Sequence, residues 1–113
     1  MSRRTFVFIF VAAYLMEADA VTLSQIVITG SDVMFACNSS FPPAWSKVNP
    51  NIGEYKILAM SGKKHPNFKD DRIEFSSIQS LHQLKIKSVK VSDVGNYVCD
   101  GEKTTSFSLN VMR

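Results

Sequence analysis

The apolar positions of this chain follow two different patterns. Residues 6–16 (FVFIFVAAYLM) form one unbroken apolar run, and the rest of the chain is cut into short segments in which apolar and polar side chains alternate. Alternation with a period of two marks a strand with one buried face. On this reading Val33, Phe35 and Cys37 share a face, as do Ile73 and Phe75, Leu84 and Ile86, Tyr97 and Cys99, and Phe107, Leu109 and Val111. Looser strand-like segments cover 21–29, 44–48 (around Trp45) and 55–60. Between them stand turn signals: Gly30-Ser31-Asp32, Pro42-Pro43, residues 49–53, and Ser61-Gly62-Lys63-Lys64, which closes the 55–60 segment. Residues 88–94 have room for a single helical turn. About eight short strands with regular turns predict an all-β fold, a two-sheet antiparallel β-sandwich.

The unbroken run reads differently. Arg3 and Arg4 precede it, Glu17 ends it, and Ala18-Asp19-Ala20 follows with small residues at both critical positions. That is the three-part pattern of a secretory signal peptide cleaved after Ala20. A membrane span needs about 20 apolar residues, and this run stops well short. The expected organisation is therefore a signal peptide at 1–20 and one domain at 21–113, secreted and extracellular. An export route is oxidising, so Cys37 and Cys99, the only cysteines, are expected to be joined.

Charge and composition narrow the chemistry further. The net charge is +3, and removing residues 1–20 leaves it unchanged. No Lys/Arg cluster suggests nucleic acid as a partner. His65 and His82 are far from each other and from both cysteines, no C-x-x-C pair occurs, and no serine sits in a nucleophile elbow. The expectation is a non-catalytic protein with no cofactor and no metal. Lys85, Lys87 and Lys90 form a basic stripe, preceded by Lys63, Lys64 and Lys69. Interleaved Asp70, Asp71 and Glu74 dilute it, so it reads as a solvated face.

One constellation is more specific. Asp93-x-Gly95-x-Tyr97-x-Cys99 follows Leu84-x-Ile86-x-x-Val89, with Cys37 and the lone Trp45 upstream and Arg72-Ile73-Glu74-Phe75 between. Over 21–113 the chain resembles an immunoglobulin-superfamily domain of the variable or intermediate set. The resemblance implies an immunoglobulin-like Greek-key sandwich in which Cys37–Cys99 crosses the core and Trp45 covers it. It also implies that the Tyr97 hydroxyl turns back to the backbone, that Gly95 permits the turn into its strand, and that Arg72 pairs with Asp93. Two departures stand out. Trp45 follows Cys37 closely, which makes the 38–43 loop short, and the last strand lacks the Phe-Gly-x-Gly bulge of rearranged antigen receptors.

The resemblance places function on surfaces rather than in a catalytic centre. Asn38-Ser39-Ser40 is the one N-x-[ST] sequon, making Asn38 the candidate glycosylation site. The candidate partner face comprises Val48, Leu58, Met60, Asn96, Val98, Asp100 and Ser106, an apolar centre with a polar rim. Ser46 and Ser108 are expected on the same side. The implied partner is an extracellular or cell-surface protein, met in receptor signalling, adhesion, immune recognition or as a soluble decoy. Two alternatives stand beside this. The chain could be a subunit or truncated form of a larger receptor, or a self-associating adhesion protein.

Overall fold

The computed structural model describes residues 20–49, 51 and 53–113, so the expected signal peptide lies outside the described residues except for Ala20. The alternating segments become nine strands. They are β1 (Ala20–Ile28), β2 (Val33–Asn38), β3 (Ala44–Asn49), β4 (Glu54–Met60), β5 (Lys63–Lys64), β6 (Ile73–Ile78), β7 (Leu81–Ile86), β8 (Gly95–Asp100) and β9 (Thr104–Met112). A 3-10 turn at Val91–Asp93 fills the place expected for one helical turn. Among the described residues no helix is long and apolar enough to cross a membrane.

The strands form two sheets. One has six strands in the order β1-β9-β8-β3-β4-β5, and the other has three in the order β2-β7-β6. The core lies between them. Val33, Phe35, Leu84 and Ile86 come from the small sheet, and Trp45, Tyr97, Phe107 and Leu109 from the large one. The Phe35 ring stacks on Phe107 at 4.7 Å and lies 5.5 Å from Tyr97, so aromatic contacts join the sheets near the middle. Cys37 of β2 and Cys99 of β8 are disulfide-bonded across the core, with Cα atoms 6.7 Å apart.

Three expectations need correction. The sandwich is not purely antiparallel: β1 runs parallel to β9, with Ala20 opposite Thr104 and Ile28 opposite Met112. No hairpin connects these two strands: β1 leads through the 29–32 turn into the other sheet and β9 comes at the far end of the chain, so no tight turn sets them antiparallel. The Lys63–Lys64 pair does more than end the preceding segment. It folds back as β5 on Ala59 and Met60. Ser61 and Gly62 both adopt positive φ, the geometry of a tight two-residue hairpin turn. The third correction concerns β4. The β3–β4 register shifts between Trp45 and Ser46: Trp45 pairs with Ala59 but Ser46 with Ile57. Leu58 is the extra residue of this bulge, and a bulge resets which side each later residue takes.

Candidate functional site

The polar frame of the core begins at the base of the sandwich. Asp70 accepts the Arg72 backbone N–H at 3.0 Å, which places the guanidinium at the start of β6. Arg72 then donates to both carboxylate oxygens of Asp93, each at 2.9 Å, and to Asp70 Oδ2 at 2.9 Å and the Ser88 carbonyl at 3.1 Å. Asp93 also accepts the Lys90 backbone N–H at 2.7 Å, which fixes the 3-10 turn. Burial is the largest single influence on Asp93 and opposes its charge. The Arg72 bonds and the Lys90 N–H outweigh it and hold the carboxyl below its ordinary range. The bond to Asp93 foremost, and that to Asp70, raise the Arg72 pKa further against the burial that opposes its charge.

The Tyr97 hydroxyl donates to the Asp93 carbonyl at 2.5 Å, tying β8 to the turn that precedes it. Burial pushes its phenol pKa up. Gly95 stands at φ +149°, and a Cβ there would lie 3.2 Å from the Val48 carbonyl oxygen, so a side chain would be both strained and crowded. Trp45 lies opposite Cys99 in the β3–β8 register and packs near Phe75 and Phe107, with ring centroids 6.4 and 6.1 Å away. Leu84 is fully buried opposite Phe35 and Phe75. These residues form the internal frame of the sandwich.

The outer face of the six-stranded sheet is a different surface. Register places Ser106, Val98, Ser46 and Ile57 in one row and Ser108, Asn96, Val48 and Tyr55 in the next. Asp100 caps the upper end opposite Ala44 and Thr104. Val48, Asn96, Val98 and Ser106 are half-buried, while Asp100 and Met60 are exposed. Leu58 does not belong here. It is 1% exposed and lies in the core, because the bulge puts it on the opposite side from Met60. Ser46 lies in the row but is covered, at 6% exposure between Val98 and Ile57. Sequence reasoning missed Tyr55 and Ile57, which take the place it gave to Leu58. The signal that would have found them, the β4 bulge, has no signature in the strand's own alternation.

By alternation, the outward positions from β1 through β4 carry no Lys or Arg, and Asp100 is their one carboxylate among the described residues. The basic stripe lies on the other sheet, where Lys87 pairs with Glu74 at 2.9 Å. The Lys87 hydrogen bond lowers the Glu74 pKa. A shallow groove of about 610 Å³ beside β4 is lined by Tyr55, Ile57, Phe68, His65, Lys56 and Lys69, among others.

Asn38 is exposed at the end of β2. Its sequon is held from beneath: the Ser39 carbonyl lies 3.0 Å from His82 Nε2, and Ser40 hydrogen-bonds Glu102. Bonds from the Ser40 hydroxyl and backbone N–H lower the Glu102 pKa. His82 Nδ1 meets the Ser77 hydroxyl at 2.7 Å, so this buried histidine is satisfied at both nitrogens within the fold. Among the described residues no group of three or more His, Cys, Asp or Glu side chains could hold a metal. No protein-family model matches the chain, and no curated protein matches it.

Proposed function

We propose that the chain is a secreted, non-catalytic recognition module of the immunoglobulin superfamily, of variable type. On this reading it binds an extracellular or cell-surface protein through the outer face of its six-stranded sheet. The class assignment is supported by the strand order, by the disulfide between sheets, and by the Arg72–Asp93 and Tyr97–Asp93 bonds. Residues 1–20 act as the export signal, and Asn38, exposed beside a buried Ser39, carries the glycan. The disulfide fits an oxidising compartment.

The observation that carries the binding reading is the distribution of charge. Eleven Lys and Arg lie within 21–113, yet none takes an outward position from β1 through β4. Depletion of charge around a half-buried apolar centre is the compositional mark of an interface core. Val48, Ile57 and Val98 supply that centre, Tyr55 and Met60 its exposed flank, and Asn96, Ser106 and Asp100 its rim. A multimer of the disulfide-bonded secreted chain, screened against an array of extracellular proteins, should give a saturable heterotypic hit. Val98→Asp should weaken that hit at least tenfold while near-ultraviolet circular dichroism stays native. Full binding by a natively folded Val98→Asp variant would exclude this face.

A further inference from the structure

The four sheet edges among the described residues are not alike. A free edge offers a row of unpaired N–H and C=O groups, and proteins ordinarily blunt it with charge, proline, shortness or a cover. β5 is two residues long, and both are Lys. β6 carries Glu74, held by Lys87. β2 ends in the exposed sequon residue Asn38. β1 has none of these devices. It is nine residues long, AVTLSQIVI, with no charge and no proline, and among the described residues its outer edge has no neighbour in the sheet. Ile26 and Ile28 stand 63% exposed on its outer side, and Met112 of β9, opposite Ile28 in register, is 55% exposed.

We propose that β1 is a self-pairing edge: two copies of this chain join antiparallel through β1 about a two-fold axis, making one continuous sheet across both. The occupant follows from charge. The chain carries +3, so two copies repel wherever their lysines meet. From Ala20 to Ser46 the only ionisable side chain is Asp32, which is buried. Neither β1 nor its neighbour β9 carries a charged side chain, and Lys90 (after Val89, whose carbonyl accepts the Gly30 N–H) and Arg113 (after Met112) stand beyond the Ile28 end, so the flank along the length of β1 is where two copies approach without opposing like charges. The lysines of β5 and of the 69–72 connection lie across the sheet from that flank. Antiparallel pairing of a strand with its own copy satisfies every free edge group by symmetry. It also keeps the outer side common, so that Thr22, Ser24, Ile26 and Ile28 of each copy adjoin those of the other.

In the secreted chain, cleaved after Ala20, the strand keeps the eight residues Val21 to Ile28 and is about 27 Å long. An edge of that length, widened by three exposed apolar side chains, falls in the class of interfaces burying less than about 1,200 Å² in total, which are transient. The dimer should therefore be reversible and concentration-dependent. This inference does not depend on the heterotypic reading, since it uses a different part of the sheet.

The test is sedimentation equilibrium on the secreted, disulfide-bonded chain over a wide concentration series, with amide exchange read at low and high concentration. The weight-average mass should rise toward that of a dimer, and the outward-facing β1 amides should gain protection as it does. Ile26→Lys and Ile28→Lys should each raise the dissociation constant at least tenfold. Ile78→Lys, on the exposed β6 edge, should leave it unchanged. A chain that stays monomeric throughout would overturn the proposal. So would a dimer that Ile26→Lys leaves intact and Val98→Asp breaks, because that would move self-association to the sheet centre. Should a lysine variant fail to fold, the exchange pattern of the unaltered chain decides alone: no concentration-dependent protection of β1 overturns the proposal.

Discussion

Asp93 shows how a single residue links acid stability to the fold. Its carboxyl is held below its usual range in the folded chain, so folding favours the ionised form. The stabilisation is complete above the unfolded-state value near 3.9 and disappears as pH falls through the lower folded value. Asp93→Asn should lower stability by about 3 kcal/mol at neutral pH, because it leaves Arg72 without its bidentate partner. Urea melts at pH 7 and pH 3 check this: the gap between the natural chain and the variant should be wide at pH 7 and should narrow at pH 3. The Arg72–Asp93 pairing was legible in the sequence because both residues stand in recognisable runs. The satisfied environment of His82 was not. Its partners, Ser77 and the Ser39 carbonyl, are brought to it by two different strands, and no spacing in the chain announces them.

At the scale of elements, eight of the nine strands were readable to within about three residues, because one buried face imposes a period of two on each strand, while the two-residue β5 was read as a turn. Facing was readable wherever that period ran unbroken, as in β2, β7, β8 and β9. It failed in β4, where Leu58 follows outward Ile57 into the core and the extra residue at the bulge then sends Met60 to the opposite, outer side. The two residues should therefore respond differently to truncation. Leu58→Ala should destabilise the domain by about 2–5 kcal/mol, the range for removing a large buried side chain. Met60→Ala, at an exposed position, should change stability by less than about 0.5 kcal/mol. Thermal or chemical melts of the two variants side by side measure the difference, and near-equal losses would mean that the bulge is placed elsewhere. The parallel β1–β9 pairing was equally hidden, since period-two alternation says which side of a strand is buried and nothing about the direction of its neighbour.

For the molecule as a whole, the two sheets are held by one covalent link between residues 62 positions apart. Closing a loop of that size restricts the unfolded chain and should contribute about 4 kcal/mol in the chain-entropy model. The double variant Cys37→Ala/Cys99→Val should lower the free energy of unfolding by roughly that amount. Small domains of this size bury a limited fraction of their surface, so such a loss removes much of the total. The all-β architecture and the inter-sheet bond were legible because pattern and cysteine count bear on them directly. The blank edge of β1 became visible only when the sheet order was known. The parallel run of β1 and β9 also decides where the chain leaves the body. Ala20 lies beside Thr104, at the pole of the 39–43 and 101–103 loops, and Arg113 follows Met112 at the opposite pole. A dye, bead or surface attached behind Arg113 therefore holds the molecule with those loops and Asn38 pointing away from the support. The same attachment ahead of Val21, the first residue after the export signal, presses them against it, so the choice of attachment point governs which pole a binding assay can sample.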